Sequence, residues 1–318
     1  MNLHELTAHV ADEAKAFELA EKIVWPEGPI CPHCENKGEK KIYSLQGVKD
    51  KKGRVRLGLK KCGACRKQFT VRVGTIFEDS HIPLGKWLIA IHMMCSSKKG
   101  VSANQLKRHL GLAYSSAWFM CHRVREAMAL PPMDRMLIGG GSVNRIVEID
   151  ETFIGGKPHN NRHASYRQKP KPAVMTLIER GGQVRSVHVP NLTAETLQGV
   201  AFLNVDPKAR VVTDENRSYL GLRKGFAAHG IINKAKQGYV RGVLHVNFAE
   251  SYHSLLKRGI LGTFHHVSER HLHRYLREFE LRWNTRTFTD GERTEKVVRD
   301  VVGKRLRYKM PKSGIGFK

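Results

Sequence analysis

The chain has 318 residues, 41% of them hydrophobic, enough for more than one packed domain and too apolar for wholesale disorder. Fifty-five Lys and Arg oppose 29 Asp and Glu, a formal charge of +26. Such self-repulsion is relieved by a polyanion that releases counterions on binding, so nucleic acid is the first partner to consider, ahead of a ribosome or an acidic membrane surface.

The N-terminus has neither a basic segment nor an apolar stretch of the secretory kind, and the apolar run near Trp87 is too short to span a bilayer. The expected location is cytoplasmic or, in a cell with a nucleus, nuclear, with no membrane partner. Residues 8–23 read as one amphipathic helix, closed by Trp25-Pro26-Glu27-Gly28-Pro29. Residues 30–75 are basic and turn-rich, with strand-like alternation through Tyr43, Val55, Leu57, Phe69, Val71 and Val73. Residues 80–130 read as helices. Ser102 caps one that Gly111 ends, and another runs from Tyr114 to Met128. After Gly139-Gly140-Gly141, strands are expected at 146–149, 173–178, 184–189 and 209–212, with a Gly181-Gly182 hairpin turn. Helices follow at 193–203, 247–258 and 268–285. The order implies an α/β domain with a mixed sheet.

Two CxxC pairs, Cys31/Cys34 and Cys62/Cys65, are separated by 27 residues. Each puts two thiolates on one tight turn, and two such turns supply the tetrahedral sulfur set of one structural zinc. Buried cysteines or a redox pair are the bland alternatives. The extra linker length fits a β-hairpin insert. His33 lies between two ligands and is expected to be exposed; Cys95 and Cys121 fall on apolar helical positions and read as core. The same segment carries Lys49, Lys51, Lys52, Arg54, Arg56, Lys60, Lys61, Arg66, Lys67 and Arg72, a cation density suited to phosphates. Residues 102–123 have the pattern of a helix-turn-helix. Ser115, Ser116 and His122 are its candidate groove-facing residues, and Trp118 reads as core.

Asp150 and Asp214 each follow an apolar strand. Carboxylates on neighbouring strand ends can share metal, and oxygen ligands favour Mg2+ or Mn2+ over zinc. Glu250, His253 or Ser254, and Lys257 share one helical face. Locally, Asn247 with Glu250 also matches a helix cap and capping box. Glu151 should point away from Asp150 if the strand continues.

These segments resemble bacterial insertion-sequence transposases of the DDE type, in which a zinc ribbon precedes a ribonuclease-H-like domain. The resemblance runs from Cys31 to about Arg286. It rests on the two CxxC pairs, Ile149-Asp150-Glu151-Thr152-Phe153-Ile154-Gly155-Gly156-Lys157, Thr213-Asp214, and the stretch from Asn247 through Gly262-Thr263-Phe264-His265-His266-Val267 to Arg282-Trp283-Asn284. Thirty-five residues separate Asp214 from Glu250, and Lys257 follows Glu250 by seven positions.

The resemblance implies that Asp150, Asp214 and Glu250 hold two Mg2+ or Mn2+ ions and that Lys257 binds a phosphate. Asn247 and His253 are the alternate third ligands, because some relatives carry Asn or His there. It further implies double-stranded DNA partners, the element's terminal inverted repeats and its target, and a homodimer or larger assembly at the nucleoid. The expected domains are 1–78 (N-terminal helix and zinc ribbon), 79–138 (helix-turn-helix-like), 139–288 (ribonuclease-H-like, mixed sheet) and 289–318 (basic tail). Two other readings stand beside this one: an inactive zinc-ribbon DNA-binding protein derived from such an element, and a junction-cleaving nuclease of the same fold.

Overall fold

A computed structural model describes residues 2–129, 137–140, 145–155, 171–233 and 242–307. Gly141, Gly156 and Lys157, named above, lie outside them. The chain divides into two compact units. One comprises Met1–Ser97, Val101–Met128 and Thr287–Lys318; the other comprises Lys98–Gly100 and Ala129–Arg286.

The first unit opens with two helices, α1 (Leu3–Val10) and α2 (Glu13–Val24), where the sequence suggested one. Asp12 makes the break: its carboxylate accepts the Ala14 N–H at 3.0 Å and starts a new helix. A three-stranded antiparallel sheet follows, of β1 (Ile42–Ser44), β2 (Lys60–Cys62) and β3 (Gln68–Phe69). Val71 and Val73 lie in turns beyond it. Next comes α3 (Leu84–Ser96), whose first amides, Leu84 and Gly85, are bound by the Glu13 carboxylate at 2.6 and 3.2 Å.

Helices α4 (Ala103–Leu110) and α5 (Tyr114–Ala127) are joined by a three-residue turn. Gly111 takes φ +60° there, a left-handed conformation that costs glycine little. Ser102 caps α4 by accepting the Gln105 N–H at 3.1 Å. Cys95 and Cys121 are buried. Within the stretch expected as a basic tail, Asp290–Arg299 form a capped helix, α9. It packs on α3 through Thr294 Oγ1 to His92 Nδ1 (3.0 Å) and Arg293 to the Cys95 carbonyl (3.0 Å).

The second unit is a five-stranded mixed sheet with helices on both faces. Its strands are β4 (Ile146–Phe153), β5 (Ala173–Glu179), β6 (Val184–Val189), β7 (Arg210–Thr213) and β8 (Ala228–Ile231), in the order β6-β5-β4-β7-β8. β4, β5 and β6 are antiparallel; β7 and β8 run parallel to β4. On one face Val147 and Ile149 pack with Leu197 and Ala201 of α6 (Ala194–Asn204). On the other, Val174 and Ile178 meet α7 (Asn247–Gly259) and α8 (Glu269–Asn284) through Ala249, Leu256, Leu272 and Phe279. This is the ribonuclease-H-like arrangement, with β4 at its centre. β8 and the 3-10 helix over Arg217–Lys224 were not expected. The Ala-His-Gly-Ile sequence of β8 carries little strand preference, and pairing with β7 makes it a strand.

A buried polar cluster ties α8 to the sheet. Glu280 accepts the Ser186 N–H at 2.5 Å, and the Ser186 hydroxyl donates to Tyr252 Oη at 2.7 Å. Burial pushes the Glu280 carboxyl up to about 7, despite the Ser186 N–H and the Arg185 guanidinium. Its folded value lies above its unfolded one. The stability it gives is therefore whole below about pH 4.5 and lost as the pH rises through about 7, at a cost on the order of 3 kcal/mol. The melting temperature is expected to fall between about pH 5 and about pH 8, and Glu280→Gln, which keeps the acceptor, should flatten that slope. An unchanged slope in a calorimetric pH series would rule this out.

Candidate active site and zinc centre

The four cysteine sulfurs come together within 4.8 Å of one another. Cys31 Sγ lies 3.7 Å from Cys65 Sγ, and Cys34 Sγ 3.7 Å from Cys62 Sγ. Four sulfurs at about 2.3 Å from one tetrahedral zinc stand about 3.8 Å apart, so the cluster has the size of the ion. The two knuckles are built alike. The residue after each pair, Glu35 or Arg66, is left-handed (φ 58° and 60°). Its N–H returns to the first cysteine's carbonyl, Cys31 at 2.9 Å or Cys62 at 3.0 Å. The N–H groups of Cys65 and Ala64, with the Asn36 amide, draw the Cys62 thiol down to about 6. His33 is exposed, and its Nε2 lies 3.4 Å from the Gln68 carbonyl. The site is a four-cysteine zinc ribbon.

Asn36 supports it from behind. Its amide donates to Cys62 Sγ (3.5 Å) and the Lys40 carbonyl (2.7 Å), and its Oδ1 accepts the Lys40 N–H (3.1 Å). Supporting residues of this kind tune metal affinity, so Asn36→Ala is expected to weaken zinc binding roughly 10–100-fold in a chelator competition. Wild-type affinity would show that the amide serves only the turn.

The basic residues of the ribbon divide. Lys51, Lys52, Arg54, Arg56, Arg66 and Lys67 are exposed and Lys61 is half-buried. Arg54 is clamped to Asp50 through Nε at 3.0 Å and Nη2 at 2.8 Å. Lys60 leaves the set: it is 8% exposed and its ammonium sits 2.7 Å from Glu21. Arg72 likewise turns inward, to Glu13 and to the Ser80 and Ile82 carbonyls. On α5, Ser115 is exposed and Ser116 half-buried, but His122 is buried and cannot meet a groove. Trp118 packs edge-on to it.

In the second unit, a cavity of about 920 Å³ is lined by Asp150, Glu151 and Thr152 of β4 and by Glu250, His253, Ser254 and Lys257 of α7. Lys99 and Arg258 add positive charge to its wall. Asp150 lies within β4, three residues before its end, because β5 pairs with the strand as far as Phe153↔Ala173. It was expected at the strand end. Asp214 directly follows β7. The parallel pair Ile149↔Thr213 puts it beside Asp150 in register, although it does not line the cavity. Asp214 Oδ1 accepts the Asn216 N–H at 3.0 Å.

Behind it, His229 is held neutral, its pKa drawn down to about 4 by burial and by Arg223. Thr213 Oγ1 donates to the Asp214 carbonyl (2.9 Å) and so must accept from His229 Nε2 (2.9 Å), which fixes the tautomer. Glu151 borders the cavity too, but its carboxylate is bound by the Tyr219 hydroxyl and Asn216 Nδ2 (2.7 Å). Burial and then the charges of Glu151, Asp214 and Asp150 hold the Tyr219 phenol far above its usual range, so the three carboxylates act on one neighbourhood.

Glu250 is not a capping residue. The residue before α7, Val246, offers no side-chain cap, and the first amides of the helix are bound by Glu148. That leaves Glu250 facing the cavity. Of the alternates, Asn247 does not line the cavity. His253 does, held between Asp150 Oδ2 (3.6 Å) and Thr176 Oγ1 (3.0 Å). Among the described residues, the cysteines form the one group of three or more such side chains drawn close enough for an ion. Of the three predicted carboxylates, Asp150 and Glu250 line the cavity and Asp214 does not. Glu148 was missed in the sequence. Its signal was only an acidic residue at an inward-facing position of an apolar strand.

Two family models match the chain. A family model described as a transposase zinc-ribbon domain matches residues 11–68, and one described as an ISXO2-like transposase domain matches residues 141–284. An uncharacterized protein in transposable element ISH50 of Halobacterium salinarum is 29% identical over 293 residues, covering 85% of this chain and 90% of the relative. The chain thus joins a transposase zinc-ribbon domain to an ISXO2-like transposase domain.

Proposed function

We propose that the chain cuts DNA at the ends of its element and joins the freed strand to target DNA, with Asp150, Asp214 and Glu250 holding two divalent cations. The observation that carries this reading is the shared cavity. Asp150 from the central strand and Glu250 from α7 face it together, and Asp214 stands beside Asp150 in register. The donors are all carboxylate oxygens, which suit Mg2+ or Mn2+. When bound, such ions stabilise the charge on the attacking and leaving oxygens of an in-line displacement.

The residues of the chain supply the rest. Glu250, His253 and Lys257 fall on one face of α7, so Lys257 can take a phosphate oxygen one to two turns from the carboxylate. His253 holds the Asp150 carboxylate in place. The reaction has two steps. Hydrolysis at the element's end leaves a 3′-hydroxyl; that hydroxyl then displaces a target phosphodiester, one bond formed for each broken. The exposed cations Lys51, Lys52, Arg56, Arg66 and Lys67 of the ribbon bind phosphates, and α4–α5 with Ser115 and Ser116 reads a groove. Joining two ends calls for at least two copies of the chain. No helix of the described residues is long and apolar enough to cross a membrane, and the work belongs at the nucleoid, in the cytoplasm.

The test is strand transfer from a labelled duplex carrying the element's end, with Mg2+ and the full chain. Joined product is expected. Binding without cleavage would make the chain a DNA-binding protein only. Cleavage of branched DNA without joining would make it a junction nuclease.

A further inference from the structure

Glu148 is completely buried, and its partners come from two separate stretches of chain, Arg180 and residues 245–249. Oε1 accepts Arg180 Nε at 2.7 Å and lies 3.1 Å from His245 Nδ1. Oε2 accepts the N–H groups of Phe248 (2.9 Å) and Ala249 (3.1 Å), the first turn of α7. Arg180 closes the arrangement by donating to the His245 carbonyl at 2.9 Å. The Phe248 ring stacks over His245, with centroids 6.2 Å apart.

A local cap would satisfy the same amides without burying a charge. Ser, Thr, Asp or Asn in place of Val246 would serve, and such caps are the ordinary solution. A carboxylate reaching from the sheet does something a local cap cannot: it fixes the helix to the strand. Glu148 precedes Asp150 by two residues on the same face of β4, and Ala249 immediately precedes Glu250. One side chain therefore spans the two elements that carry two of the three proposed metal ligands. A buried carboxylate is tolerated only when paired and fully hydrogen-bonded, and Glu148 is both.

We infer that Glu148 is a positioning residue of the cation site, setting the separation of Asp150 and Glu250 by bracing β4 against the N-terminus of α7. The inference rests on the proposed function of that cavity. Glu148→Asp keeps the charge but falls short by one methylene, about 1.5 Å. Glu148→Gln keeps an acceptor but loses the pairing with Arg180 and serves where Glu148→Asp does not fold.

The probe is Mn2+, titrated into the full zinc-loaded chain and followed by electron paramagnetic resonance. Glu148→Asp is expected to weaken Mn2+ binding about tenfold, the loss typical of residues that orient metal ligands. The Mg2+ concentration for half-maximal end cleavage should rise by the same factor, with KM for DNA and zinc content unchanged. A residue that only stabilises the helix would lower the melting temperature and leave both metal readouts at wild-type values, and that result overturns the inference. Asp150→Asn and Glu250→Gln, titrated alongside, separate the two ideas. If they too leave Mn2+ binding unchanged, or if the wild type binds none, the cavity is no cation site and both proposals fall. If they abolish binding while Glu148→Asp and Glu148→Gln do not alter it, only the role of Glu148 falls.

Discussion

Asp150→Asn is expected to lower end cleavage and strand joining on the order of 1,000-fold or more while leaving the chain folded. Charge stabilisation by a metal is worth several kcal/mol at the transition state, and each 1.36 kcal/mol is tenfold in rate. Losing a ligand from the central strand removes most of that. The fold should tolerate the change. The Asn oxygen can still accept the Glu151 N–H, which Asp150 Oδ1 accepts at 3.0 Å, and the side chain keeps its volume.

A neighbour supplies the control. Glu151 is the adjacent acid, but its carboxylate is taken up by Tyr219 and Asn216. Glu151→Gln should lower the melting temperature, because Tyr219 loses a charged acceptor in a buried setting, and should keep most of the rate. Measuring both variants by single-turnover cleavage and by thermal melting gives opposite patterns. Equal losses of rate would mean that the sheet, rather than one carboxylate, sets activity.

How much of this the sequence displayed depended on how local each signal was. The zinc ligands were legible because each knuckle is a four-residue unit. Ser102, Gly111 and the α4–α5 turn were legible for the same reason. The cavity face of α7 followed from helical periodicity alone, and the mixed sheet followed from the order of apolar runs.

What escaped was set by partners distant in the chain. Asn247 and Glu250 matched a capping box locally, but the cap comes from Glu148, about 100 residues earlier. Lys60 and Arg72 looked like phosphate ligands, since cations crowd a basic segment. Glu21 and Glu13 of α2 turn them inward, and no spacing rule joins those pairs. Asp150 was placed at a strand end because the apolar run stops at Ile149; β5 supplies the pairing that carries the strand on to Phe153.

Removing zinc is expected to abolish DNA binding by unfolding the ribbon, and only zinc-like metals should restore it. The ribbon has little else to hold it. Its apolar cluster at the metal site is Cys31, Cys62 and Phe69, edged by Trp25, Ile42, Cys65 and Val73, so two of its three buried members are zinc ligands. Its strands are two or three residues long. Segments of about forty residues seldom fold without a metal or disulfide, and structural zinc contributes about 10–16 kcal/mol at neutral pH. No packing change in so small a core could replace that.

Cys31→Ser should therefore copy chelation, with zinc content near zero and rapid proteolysis between β1 and β3. The sheet unit should still melt with the pH dependence set by Glu280, because the zinc ligands all lie in the other unit. Mg2+ in excess should not rescue the ribbon, since hard cations prefer oxygen donors to thiolates. Chelated protein that keeps its DNA affinity would take the ribbon out of DNA recognition and leave that task to α4–α5.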